Sequence, residues 1–431
     1  MAAARRRPLP IALIAAVAIV AAFAGGATRP HRAAAADCNK IAFPYNLQPM
    51  IDAANPGDII CLTPDVFAGP VRIAGKRGLT LRGQGQQQTI IAGGAKDAML
   101  IDNSSDITVE HLKLFFGHPS DAYVNNSANI IFQHVDAGGG AIGIHFDVNS
   151  TGRIADSFVY AIEGDAVLVR HGSNTTVERN WIFLNGGVGV STVGKTATTT
   201  ITQNIISDSK GPGVFAGQTP CSLLPPGFVE VPDCYLTNLQ SFVGDANIIL
   251  NANVIQSSGS TGIVMFPGTR ATMNNNHIWR NHLSGLFAWG AHISSQGDEY
   301  AGNDEHAIEF RAYPDPLKYG QVGNSFPVRA VGSLNSNTIH DTVVLPQTRT
   351  LGGGVLAQGA NLDVSNSRIY NNRGIGVSFV NTSLGAITGN MIYDNRGSAI
   401  CEFHAGDITT ARNTIFGNAD NTVGVCDETT P

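Results

Sequence analysis

Two groups of residues in this chain have the types and spacing for proton chemistry on an acidic substrate. The first is His145, Asp147, Arg170 and His171. An arginine can neutralise the carboxylate of a uronate while a neighbouring base removes the adjacent proton. This logic assigns His145 and Arg170 to catalysis, and Asp147 and His171 to substrate contact. The second group is Glu309 and Arg311, also catalytic candidates, with Trp289 and His292 nearby. Phe215, Phe266, Phe287 and Trp289 would supply apolar faces for sugar rings to stack on. Each charged group has a plainer reading as an outward ion pair, which contributes little to stability when exposed. The rings have one too, as side chains covered by loops.

What positions these residues is a repeat. The run Val177–Ile182 reads apolar, two variable residues, Asn, one variable residue, apolar, and it returns at Ile201–Ile206, Leu250–Ile255, Met273–Ile278, Leu334–Ile339 and Ile387–Ile392. Near-copies place His134, Ser157, Ser367 and Asn413 in the Asn position. Most undisturbed steps are 23 residues long, and Arg170 follows Asp147 by that same step. A fixed short period marks a solenoid, in which each repeat buries its apolar side only against its neighbours. Each repeat has a second half that opens on Gly or Ala and then alternates apolar residues, as at Gly189-Val190 and Gly285-Leu286. Short Val- and Ile-rich runs of period two, bounded by turns, predict strands. The recurrent Asn is expected to adopt the left-handed backbone of a tight bend and to hydrogen-bond from coil to coil.

With this repeat and its Asn-bearing turn, the chain resembles the right-handed parallel β-helix proteins of the pectate-lyase-like superfamily. The run Ala53–Ile59 is similar to that family's usual first coil. The resemblance implies an all-β fold, a single-stranded parallel solenoid with an N-terminal cap and loop insertions. Val169-Arg170-His171-Gly172 also resembles the Arg-His-Gly stretch of some β-helix alginate and dermatan lyases, with His145 where those enzymes carry a catalytic Lys. The paired aspartates and Gly-His-Gly of polygalacturonases are missing, and so is the Asp-Pro-His of mannuronan epimerases.

The ends and interruptions fit this frame. Residues 1–36 read as a secretory signal peptide: Arg5, Arg6 and Arg7, an apolar run from Ile11 to Ala24, then Ala34-Ala35-Ala36. Residues 37–431 form the β-helix domain. Leu47, Met50, Ile51 and Ala54 have helical spacing and predict a cap over the open end of the coil. Six cysteines fall into sequence neighbours, and stacked coils favour local pairing: Cys38 with Cys61, Cys221 with Cys234, Cys401 with Cys426. No Cys-x-x-Cys suggests a metal site, and no metal ligand set is expected. Four stretches read as insertions, Gln218–Phe242, Ala291–Asp304, Ala312–Val331 and His340–Gly352, the first three leaving from the same position of the repeat. Insertions at one position project on one side, often the binding side.

The net charge is −6, and it becomes more acidic once the leader's arginines are removed. No basic stripe marks the chain for nucleic acid, and no membrane association is expected after leader cleavage. The sequence thus predicts a secreted or periplasmic monomer that recognises an extracellular polysaccharide, an acidic one if the arginines contact it, by lyase chemistry if it is an enzyme. The cofactor stays unidentified. The alternative is a non-catalytic surface or accessory β-helix of the NosD or adhesin type.

Overall fold

The computed structural model describes residues 38–194, 196–217, 246–312, 328–343 and 353–425. The expected leader lies outside them, as do Cys221, Cys234 and Cys426. Within them the chain is a right-handed parallel β-solenoid. Each coil carries three short strands. A representative coil runs through Asn174–Glu178, Trp181–Phe183 and Val190–Val193. These pair in parallel with Thr198–Thr202, Ile205–Ser207 and Val214–Ala216 of the next coil. The first two strand positions make two faces of one sheet, joined because Ser105–Phe115 and Ala128–Gly138 run through both. The third position makes a separate face of 14 strands.

Alternation decides which side chains fill the interior. On the first face Val177, Ile201, Leu250 and Met273 follow one another with no exposed surface. On the second face Ile182, Ile206, Ile255 and Ile278 do the same, and on the third Val190, Val214, Ile263 and Leu286. Complete burial of such a side chain contributes about 1.5–3 kcal/mol, and each of these coils adds at least three.

The Asn positions form a buried ladder along the axis. Asn180 Nδ2 donates to Asn204 Oδ1 at 3.1 Å, Asn204 to Asn253 at 3.1 Å, and Asn253 to Asn276 at 2.9 Å. The same side chains cap the preceding strands, as where Asn253 Nδ2 donates to the Ile201 carbonyl at 2.7 Å. The left-handed residue, however, is not the Asn but the one before it: Arg179, Gln203, Ala252 and Asn275 all have φ between 52° and 56°. The bend turns the following Asn inward, where its amide meets the backbone groups that the corner leaves unpaired.

Two expectations shift accordingly. His134 does not occupy the ladder position: it is the left-handed residue, with φ 52°, and Val135 takes the slot beneath Ser157. Ala291–Asp304 is not an insertion either. It is a regular coil with strands His292–Gln296 and Glu299–Ala301. Asp298 stands in its ladder position, and the Asn pattern passes over it for that reason.

A second ladder runs along the other corner, through Asn281–Asn303 and Asn372–Asn395–Asn418. At the start of the solenoid the helix Leu47–Asp52 buries Leu47 and Ile51 against the first coil. Cys38 is bonded to Cys61 across that coil. Cys401 is disulfide-bonded as well.

Candidate functional site

The outward residues of the third face form two columns. One runs Tyr123, His145, Leu168, Ser191, Phe215, Val264, Phe287, Glu309. The other holds Arg170 next to Val193, and Trp289 next to Arg311. Most of this outward face is nonetheless buried, so that outward does not mean exposed here.

In the strand Ile142–Asp147, Ile144 and Phe146 point into the core, which turns His145 and Asp147 outward. The Asp147 carboxylate is a hub. Tyr123, one coil before, donates its hydroxyl to Oδ2 at 3.1 Å. His171, one coil after, places Nδ1 at 2.5 Å from Oδ1. His145 Nε2 lies 3.8 Å from Oδ2, and its ring is 5.0 Å from that of Tyr123. His171 reaches back because it is left-handed at the strand end, with φ 45°, followed by Gly172 at φ 75°. A Cβ at Gly172 would meet the Asn149 side chain at 2.4 Å, so this corner needs glycine.

Burial alone would raise the Asp147 pKa. The His171 hydrogen bond and the charges of His145, Arg170 and His171 outweigh it and hold the carboxyl below its usual range. Tyr123 moves the other way: burial first, then the Asp147 charge, push its hydroxyl up to about 12. Tyr123 therefore keeps its proton at neutral pH. In the neutral form of His171, an Nδ1–H facing Asp147 leaves the lone pair on Nε2. Asp147 and His145 are buried, whereas Tyr123, Arg170 and His171 are partly exposed. The arrangement offers a proton donor, a base and a cation on one accessible edge. Sequence reasoning had the four charged or basic members but missed Tyr123. Extending the His145 column one coil towards the N-terminus would have found it.

The second group comes together differently. Glu309 is 2% exposed and fully engaged. Ser284 Oγ donates to its Oε1 at 2.5 Å, Arg311 Nε and Nη2 lie at 2.9 Å from Oε2, and His306 Nδ1 is 2.8 Å from Oε1. Burial would raise its pKa, but the His306 and Arg311 charges and these bonds hold it well below the usual range. A carboxylate held so firmly is better suited to fixing Arg311 than to carrying protons.

Phe215, Phe266, Trp289 and Phe287 do form a continuous cluster, with ring centroids 5.2, 5.5 and 6.4 Å apart in succession. The Arg311 guanidinium lies 5.7 Å from the Phe287 ring. Trp289 is not the exposed ring expected: it is 9% exposed, and its Nε1 donates to the Ala312 carbonyl at 2.9 Å. His292 is exposed but starts a strand on the first face, away from this column. The two groups are five to six strand spacings apart along the third face, roughly 24–29 Å.

The A-module of Azotobacter vinelandii mannuronan C-5 epimerase AlgE4 is similar in structure, with a TM-score of 0.56, 14% identity, and coverage of 89% of this chain and 96% of that one. The AlgE6 A-module from the same organism gives a TM-score of 0.56 at 15% identity, over 88% and 96%. At such identity the likeness speaks for the fold alone. No curated protein matches the sequence. The family described as "Right handed beta helix region" matches residues 97–240 and 323–430, more than half of the chain. The chain therefore belongs to the right-handed β-helix family.

Proposed function

We propose that this protein binds an acidic, uronate-bearing polysaccharide along its third face and cleaves it by β-elimination at the Tyr123–Asp147–Arg170–His171 group. The observation that carries this reading is the shared Asp147 carboxylate, which sets a protonated phenol and an oriented imidazole beside an arginine. Arg170 would neutralise the uronate carboxylate and the charge that grows on it. His171 Nε2 takes the proton from the adjacent carbon. The electron pair left behind forms the new C–C double bond as the glycosidic C–O bond breaks. The departing oxygen takes the Tyr123 proton, and solvent restores both side chains. His145 packs behind Tyr123 and keeps Asp147 ionised. A polymer lying along the solenoid would also reach Phe215, Phe266, Phe287 and Arg311, whose rings and charge suit a sugar acid. The Cys38–Cys61 bond fits an exported protein, since disulfides persist in oxidising compartments.

The test is incubation of the purified protein with a panel of uronic-acid polysaccharides, followed by ultraviolet absorbance for unsaturated ends. Wild type should produce the signal. Arg170→Ala and His171→Gln should abolish it, and His171→Gln should still bind polymer. Binding without product would remove the elimination, and neither binding nor product across the panel would remove the whole reading.

A further inference from the structure

We propose that Glu305, His306 and Glu309 form a site for one divalent transition-metal ion of the zinc or cobalt type. One oxygen of each carboxylate and one His306 ring nitrogen lie within 4.8 Å of one another. Proximity of acidic groups alone would not carry this, but the histidine adds a separate observation. Its side chain is 1% exposed; Nδ1 is paired with Glu309 Oε1 at 2.8 Å, and Nε2 has no hydrogen-bond partner among the described residues. An imidazole buried this deeply with one nitrogen held against a carboxylate is placed to ligate a metal ion once it gives up its Nδ1 proton.

The spacing suits coordination. Ligand bonds of ~2.1 Å to one tetrahedral ion place neighbouring donor atoms roughly 3.4 Å apart, so the His306–Glu309 pair, now at 2.8 Å, would open by about half an ångström to admit it. Glu305 is partly exposed and would close over the ion by a side-chain rotation. One imidazole and two carboxylates are the donor set of borderline metals rather than of soft cuprous ions, which prefer sulfur. Three protein ligands leave a fourth position open. Arg311 holds Glu309 from the opposite oxygen, Oε2, and Ser284 donates to Oε1, so Oε1 would coordinate through its remaining lone pair while both partners orient it.

Among the described residues a second histidine–carboxylate cluster, His277, Glu299, His340 and Asp341, lies on the second face. The experiment therefore uses the chelator-stripped protein and follows cobalt(II) by visible absorption and zinc(II) by calorimetry. Wild type should bind one ion per chain with the spectrum of nitrogen–oxygen coordination. Glu305→Gln should bind at least about tenfold more weakly, with the melting temperature of the metal-free protein unchanged. His306→Gln should lose the spectrum. The double variant His277→Gln/His340→Gln should bind like wild type. The site is overturned if no saturable binding occurs below millimolar metal, if Glu305→Gln binds as tightly as wild type, or if the double variant is the one that loses the ion. Should His306→Gln fail to fold, Glu305→Gln still decides the question. None of these readouts depends on polysaccharide activity.

Discussion

Trp289 shows how burial changes what an aromatic residue can be asked to do. Its indole is covered and its N–H is spent on the Ala312 carbonyl. Trp289→Ala should therefore destabilise the fold by about 3–5 kcal/mol, the usual cost of deleting a buried large ring. A lower melting temperature is the expected result. A stable variant with reduced polysaccharide binding would return Trp289 to the sugar-binding surface.

The His277–Glu299–His340 cluster gives a pH effect of known sign. The Glu299 hydrogen bond raises the His277 pKa. Burial would lower that of His340, but bonds to Glu299 and Asp341 more than compensate. The same contacts hold Glu299 down to about 2. The histidine contribution is complete below the unfolded value of 6.5 and is lost as pH rises through the raised folded values. The glutamate contribution is complete above 4.5 and is lost as pH falls towards 2. The cluster therefore stabilises most between these unfolded values. The melting-temperature gap between wild type and His277→Gln/His340→Gln should shrink from roughly pH 6 to pH 8. Partial exposure keeps the gap small. None of these contacts shows in sequence, because Glu299 belongs to the coil that the Asn pattern passes over.

At the scale of the element, the ladder explains both what the sequence revealed and what it hid. An Asn such as Asn253 donates three times, once from its backbone and twice from its side chain, and accepts twice within the corner, so each coil's amide completes the next. That requirement makes Asn recur and makes the period readable. Where another side chain meets part of the need, the signal disappears. Asp298 accepts from Asn276 at 2.7 and 2.9 Å and from Ser295 at 2.6 Å, but it cannot donate to a preceding carbonyl as its neighbours do. Burial raises its pKa despite those bonds. A raised carboxyl contributes most below the unfolded value of 3.8 and loses that contribution as pH rises through the folded one. Asp298→Asn should then stabilise the protein by about 1 kcal/mol at neutral pH, through one added hydrogen bond and no buried charge. The gain should fade towards pH 4. A variant less stable than wild type at pH 7 would show that the Ser295 bond to a charged acceptor matters more. The candidate site was legible in the same partial way. Period and alternation placed His145, Asp147 and Arg170 in register, but the backward reach of His171 depends on a left-handed corner that spacing alone does not reveal.

Across the described residues, each strand pairs only with the strands of the coils before and after it, and the backbone hydrogen bonds between coils all point along one axis. The first coil is closed on itself by Cys38–Cys61. This geometry has a mechanical consequence. A pull on the two ends loads the inter-coil bonds one row after another, as a zipper is loaded, rather than sharing force among rows as in shear. The solenoid should yield as a series of small ruptures at modest force. A regular coil of 23 residues would release about 80 Å of extended chain each time, at ~3.3–3.6 Å per residue. Single-molecule stretching should record evenly spaced teeth of that length, with longer ones where insertions interrupt the repeat. The terminal coil should stay silent until a reductant opens its loop, and then add one tooth. A single large rupture would mean that the coils share load after all.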